Sequence, residues 1–186
     1  MQSMADRWVE EILTFWFEEV GPEGWFKPTP ELDETVRKRF GALHKRLAAN
    51  PPEAAGKSQR AALASIILFD QFPRNMFRGS AAAFATDDLA LRIAREALDK
   101  GFDDGLTPAE RQFLYMPFMH SEISADQEHC VMLFKALGNE EALRYAIEHR
   151  DIIERFGRFP HRNRTLGRES TGEELAFLEA HKGYGQ

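Results

Sequence analysis

Cysteine is nearly absent from this sequence: Cys130 is the only one in 186 residues, so no internal disulfide and no cysteine-based zinc cluster can form. That absence points to a reducing compartment, and a cytoplasmic location is expected. Long apolar runs are also missing. The longest, residues 61–69 interrupted by Ser65, falls far short of the roughly 20 residues that span a bilayer, and residues 1–7 hold no apolar targeting segment, so no membrane partner is expected. Positive charge is in deficit. A formal net charge of −6 argues against general nucleic-acid binding, which needs a basic surface to neutralise phosphates. No alternating apolar run and no Asn-Gly hairpin signal appears, which excludes an evident strand. There is no Walker-type Gly-Lys-Ser/Thr, no dinucleotide glycine pattern, no Gly-x-Ser-x-Gly elbow and no His-Glu-x-x-His, and no cofactor is expected.

What remains is a helical chain with 43% hydrophobic and 29% charged residues, an ordinary balance for a folded protein. Fifteen Phe against three Tyr assign most aromatic rings to a core. The length fits one domain over residues 1–186. Trp8, Ile12, Phe15 and Trp16 recur at helical spacing over residues 6–19, and Gly21-Pro22 ends that helix. Trp25 and Phe26 then read as an aromatic plug over the core. Thr29-Pro30 starts a helix through Leu32, Val36, Phe40, Leu43 and Leu47 that stops before Asn50-Pro51-Pro52. A third helix, 59–72, carries the most apolar segment until Pro73 stops it.

Thr86, Thr107, Ser124 and Asn139 read as the starts of four further helices, with capping boxes at Thr107–Glu110 and Ser124–Gln127. Ser170 or Thr171 opens a last one. Alternate starts fall at intervals the size of solenoid repeat units, although no signature repeats in register. The expected fold is all-α: about seven to eight helices arranged as antiparallel pairs.

Two corners and one helix end carry candidate chemistry. Residues 156–168, Phe-Gly-Arg-Phe-Pro-His-Arg-Asn-Arg-Thr-Leu-Gly-Arg, hold Arg158, His161, Arg162, Arg164 and Arg168 with no carboxylate, and Gly157, Pro160, Asn163 and Gly167 make the stretch a loop where cations can converge. Residues 70–79 join polar groups to aromatics in the same way, through Arg74, Asn75 and Arg78. These two arginines could instead satisfy the last carbonyls of the third helix. Residues 116–122 place Pro117 inside a helical pattern, with His120 and Glu122 at its end. Such a pair could do acid–base work, or His120 could cap carbonyls while Glu122 pairs with an arginine. His149 lies on the helix that leads into the cationic loop. Asp126-x-x-His129 has the spacing of a di-metal bundle ligand pair, but one copy without further carboxylates does not make such a site, and no metal is expected. Cys130, in an apolar helical stretch, reads as packing.

Taken in order, Phe15-Trp16-Phe17 with Trp25-Phe26, Asp70-Gln71-Phe72-Pro73-Arg74-Asn75 with Phe77-Arg78-Gly79, residues 115–122, and residues 156–163 with Leu166-Gly167-Arg168 resemble the blocks of a widespread, largely bacterial family of uncharacterised proteins. The match runs over residues 13–178, apart from 49–58. The resemblance implies an all-α fold similar to tetratricopeptide-repeat proteins, and it implies no activity.

Three readings follow. The first is a binding module whose concave face, lined by Arg74, Asn75, Arg78, His149, Arg158, Arg162, Asn163 and Arg168 together with His120, Glu122 and His161, takes an anionic small molecule or a peptide, because arginine presents a rigid donor fork to carboxylate and phosphate. The second is a hydrolase or transferase on an anionic substrate using His120 with Glu122, or His161, beside the arginines. The third is structural, with the polar blocks only tying helix ends together. Oligomeric state is left open.

Overall fold

The computed structural model describes residues 7–181 and 183, and among them the chain is all-α with no strand. Helix α1 (Arg7–Thr14) buries Val9, Ile12 and Leu13 and runs on through a π-turn, Phe15–Val20, that buries Phe15 and Trp16. Gly21 ends it at φ +62°, a left-handed conformation that glycine adopts without penalty, and Pro22 opens the short α2 (Gly21–Trp25). Trp25 donates its Nε1–H to the Trp16 carbonyl at 2.7 Å and stands edge-on to Phe113, so it plugs the core. Phe26 beside it is mostly exposed.

Helix α3 (Pro30–Ala49) starts at Thr29, whose hydroxyl accepts from the Leu32 amide at 3.1 Å, and it buries Val36 and Phe40. A 3-10 turn at Glu53–Gly56 leads to α4 (Gln59–Ile66), capped by Ser58. The chain then passes through a second π-turn, Ile67–Gln71, directly into α5 (Phe72–Met76). Pro73 therefore does not stop this helix, contrary to the sequence expectation. Proline lacks the N–H that an α-helix would direct to the carbonyl four residues back, and the π-turn absorbs the loss: the Phe69 carbonyl accepts from the Thr86 hydroxyl at 2.7 Å instead. Every residue from 61 to 76 on this segment is buried, which makes it the axis of the molecule.

Helix α6 (Asp87–Asp99) follows a 3-10 turn at Ala81–Phe84. Thr86 does not cap it, because its hydroxyl is spent on Phe69. Helix α7 (Pro108–Met119) begins with the expected capping box of Thr107 and Glu110, and passes through Pro117 to end at Met119. Helix α8 (Ser124–Leu137) has Ile123 at its N-cap with no side-chain bond, so the expected box at Ser124 is not formed. Helix α9 (Glu140–Phe156) is capped by Asn139 and ended by Gly157 at φ +69°, and α10 (Gly172–Ala180) carries the capping box of Thr171 with Glu174.

Axis α4 packs against α1, α6 and α7, while α7, α8 and α9 pack consecutively. Phe15, Trp16, Phe40, Phe72 and Phe113 fill the centre with ring centroids 4.6–5.8 Å apart, mostly edge-on, a geometry favoured by the ring quadrupoles. Ile152, Ile153 and Phe159 form a separate small cluster with Phe156 and Phe177 under the C-terminal corner. Cys130 is buried in the main core, where burial pushes its thiol far above the ordinary range. Among the described residues no helix is long and apolar enough to cross a membrane.

Candidate functional site

The cationic loop divides into two halves with opposite chemistry. Its outer half is a closed network. Arg168 grips both oxygens of Glu122 at 2.8 and 2.9 Å and also donates to the Asn163 side chain and the Phe159 carbonyl, while Glu122 accepts the Phe159 amide at 2.7 Å. Arg158 grips Glu174 at 2.7 and 2.9 Å, and Glu174 also accepts from Asn163 and the Thr171 amide. Burial raises the Glu122 carboxyl, but Arg168 and the Phe159 amide outweigh it and hold Glu122 below the usual carboxylate range; Glu174 is held down to about 2, foremost by Arg158. Here the polar residues tie α10 and the loop to the end of α7.

The corner after α5 behaves likewise. Asn75 and Arg78 both donate to Asp33, in the first turn of α3, at 2.8–2.9 Å. That clamps the end of the axis helix onto the start of α3.

The inner half of the loop joins a different cluster. The π-turn that admits Pro73 carries Asp70 and Gln71, and Asp70 is fully buried. Its Oδ1 meets His120 Nδ1 at 2.7 Å, its Oδ2 accepts from the Gln71 amide at 2.7 Å, and its main-chain carbonyl accepts from Arg74. Burial would raise this carboxyl, but His120, Arg74 and Gln71 together hold it well below the ordinary value, so Asp70 is ionised. Arg74 continues to Asp87, at the first turn of α6, with a bidentate pair at 2.9 and 3.0 Å.

Arg162 enters from the 3-10 turn Pro160–Arg162 and lies between two rings, its guanidinium carbon 4.6 Å from the centroid of Phe84 and 4.7 Å from that of Phe159. Only 6% of the residue is exposed, and its ion-pair contact among the described residues, Asp87 Oδ2, stands 3.7 Å from Nη1. That is beyond hydrogen-bond range. The Arg162 guanidinium makes no hydrogen bond among the described residues, and its Nε is sealed from solvent. Burial, with Arg74 nearby, pulls its pKa down to about 10 against the opposing pull of Asp87.

Two histidines line the same region. His149 Nδ1 donates to the Tyr145 carbonyl at 2.7 Å, and its ring stands edge-on to Phe159; burial, against that bond, brings its pKa to about 3. His161 is brought to about 4, first by burial and then by Arg162. His120 is also lowered, by burial and by Arg74, against the pull of Asp70. All three imidazoles are neutral at pH 7.

The structure thus gathers Arg74, His120, His149 and Arg162 into one cluster, and ties Asn75, Arg78, Arg158, Asn163, Arg168 and Glu122 into ion-pair and hydrogen-bond networks around it. Of the two alternatives for this pair, His120 does not meet Glu122: Glu122 pairs with an arginine, Arg168, as the second alternative had it, and Asp70 holds His120. His161 lines a separate open cleft of about 400 Å³ with Arg164, Leu175 and His181. Sequence reasoning missed Asp70, Asp87 and Phe84 as members of the site. Asp70 did leave a signal, as a carboxylate inside the most apolar run of the chain, where an unpaired charge would be untenable.

The fold and the site define a class: an all-α protein whose helix ends converge on a buried cluster of two carboxylates, two guanidiniums and two neutral imidazoles. Comparison with known proteins makes the assignment particular. The chain belongs to the family described as bacterial protein of unknown function (DUF924), whose model matches residues 12–182. A solved structure, the protein of unknown function ATU0120 from Agrobacterium tumefaciens, is 42% identical, with a TM-score of 0.88 over 93% of this chain and 97% of that one. No curated protein matches.

Proposed function

We propose that the protein binds a small anionic molecule, or the terminal carboxylate of a peptide, with Arg162 as the principal contact and Arg74 beside it. The observation that carries this reading is the guanidinium of Arg162, buried between two rings and without a hydrogen bond. An unsatisfied buried donor costs about 1–3 kcal/mol, and a charged one more, so such a group is retained where a ligand supplies the acceptor. A carboxylate or phosphate matches the planar donor fork. The charges of the cluster balance, since Asp70 and Asp87 offset Arg74 and Arg162. It is the hydrogen bonds that do not.

A structural role accounts for the outer half of the loop, where every arginine named is bonded to a carboxylate. It leaves Arg162 unexplained.

The test is a thermal-shift and calorimetric screen of phosphate, nucleotides, dicarboxylates, amino acids and short peptides against the wild type and Arg162→Met, which keeps length and apolar contact while removing the charge. A ligand at about 100 times its Kd stabilises by about 2.7 kcal/mol, roughly 5–10 °C for a chain of this size, and that shift vanishes in the variant. No shift with any compound, together with a lower Tm for Arg162→Met, refutes the binding reading in favour of a structural one.

A further inference from the structure

We propose that Asp70 and His120 are the acid–base pair of a hydrolytic site, acting on an acyl bond in a small substrate whose carboxylate is held by Arg162; this rests on the anion-binding reading above. The geometry is that of an oriented imidazole. Asp70 is fully buried, and its Oδ2 is pinned by Gln71, so Oδ1 presents one fixed lone pair to His120 Nδ1 at 2.7 Å. A carboxylate can only accept there, so a neutral His120 carries its proton on Nδ1 and its lone pair on Nε2.

Nε2 makes no hydrogen bond among the described residues, yet it is not one of the side-chain nitrogens closed off from solvent. A histidine that served only to tie α7 to the axis helix would need the Asp70 bond and nothing more. This one also directs a basic nitrogen at the edge of solvent, in a cluster where the Arg162 guanidinium has no acceptor. His120 keeps 6% of its surface exposed, and water is the nucleophile assigned to the step.

The step is closed in atoms and electrons. Nε2 takes a proton from water, whose oxygen attacks the acyl carbon as the carbonyl π pair moves onto its oxygen. That pair returns as the carbon–nitrogen or carbon–oxygen bond breaks, and Nε2 delivers the proton to the leaving amine or alcohol. Asp70 stays ionised throughout and stabilises the transient imidazolium. The charged and titratable groups that act on His120 are Asp70, Arg74 and Asp87, and His149 feels its charge in turn. Burial and Arg74, against the pull of Asp70, hold its pKa below the ordinary histidine value.

Carbethoxylation of the folded protein by diethyl pyrocarbonate, mapped by mass spectrometry, reads the nucleophilicity of Nε2 and requires no substrate. His120 is expected to react, with a rate that holds as pH falls below 6.5, to be protected by citrate in the wild type but not in Arg162→Met, and to react about tenfold more slowly in Asp70→Asn. Release of amine from N-acetyl amino acids and dipeptides is expected from the wild type, and not from His120→Gln.

An unreactive His120 under conditions that label His129 overturns the acid–base pair, as does an Asp70-independent rate. If Asp70→Asn fails to fold, the wild-type pH profile decides: a rate that falls off at the ordinary histidine pKa counts against the pair. Labelling that depends on Asp70 but is not protected by citrate, with no ligand found by thermal shift, overturns the anion site alone. Labelling and protection without release of amine overturn the hydrolytic assignment.

Discussion

Arg168 and Arg162 belong to one loop and differ in every physical respect. Arg168 is partly exposed and forms a two-point pair with Glu122, plus bonds to Asn163 and Phe159. Arg162 is buried and flanked by rings, and its guanidinium makes no hydrogen bond among the described residues, with Asp87 3.7 Å away. The outer region is tied by folding, since Arg158 and Arg168 have each found a carboxylate. The inner region is left with unused donors on Arg162 and an unused base on His120, and that is the ground on which a ligand site is proposed there. Phe159 joins the two: its backbone belongs to the outer network and its ring to the inner one.

Four measurements break or sharpen that contrast. The largest effect is expected from Phe159→Ala, which removes a fully buried ring that both regions share; chemical denaturation should show a loss of about 3–5 kcal/mol. Next is Arg168→Ala, expected to cost about 2–3 kcal/mol because Glu122 is left half-buried and uncompensated. A double-mutant cycle with Glu122→Gln should give a coupling of about 1–3 kcal/mol, and near-zero coupling would show that the outer region is not a network.

The third measurement is stability against pH. His149 binds its proton near 6.5 when unfolded and near 3 when folded, so lowering the pH favours the unfolded chain, and stability falls as pH drops below 6.5. Between pH 6.5 and 5 this histidine alone accounts for at most about 2 kcal/mol, and His149→Gln should flatten the slope. His161, also lowered, adds in the same direction, and Asp70, Glu122 and Glu174 add to it further down, because their depressed values make protonation favour unfolding. The smallest effect is Arg162→Met, expected to leave stability within about 0.5 kcal/mol or to raise it, since a buried cation without a hydrogen bond is replaced by an apolar chain of similar length. A loss comparable to that of Arg168→Ala would erase the distinction between the two halves.

Local chemistry was readable wherever a residue acts on its own neighbours. Thr29, Thr107, Asn139 and Thr171 cap the helices their positions predict, because a cap is satisfied within three residues of the chain. Thr86 and Ser124 failed for the opposite reason: the Thr86 hydroxyl is drawn to a carbonyl on the axis helix, and α8 starts without a side-chain cap at all. Pro73 misled in the same way, since the π-turn that accommodates it is paired with Thr86 from a distant segment. The arginines and histidines of the site were visible as residue types in an acidic chain. Their partners were not, and the nearest carboxylate in sequence to His120, Glu122, belongs to another network.

The sequence by itself determined an all-α protein, most of its helix starts, the aromatic core and the concentration of cations in one loop, because apolar periodicity and capping are properties of short stretches. Tertiary structure alone decided that Asp70 faces His120, that Asp87 is shared by Arg74 and Arg162, and that one arginine of the loop is sealed between Phe84 and Phe159 while Arg158 and Arg168 are paired at the rim. Those choices depend on which helix ends meet, and burial sets their chemistry: the same guanidinium that is satisfied at the surface is left, once enclosed, with donors that no acceptor among the described residues fills.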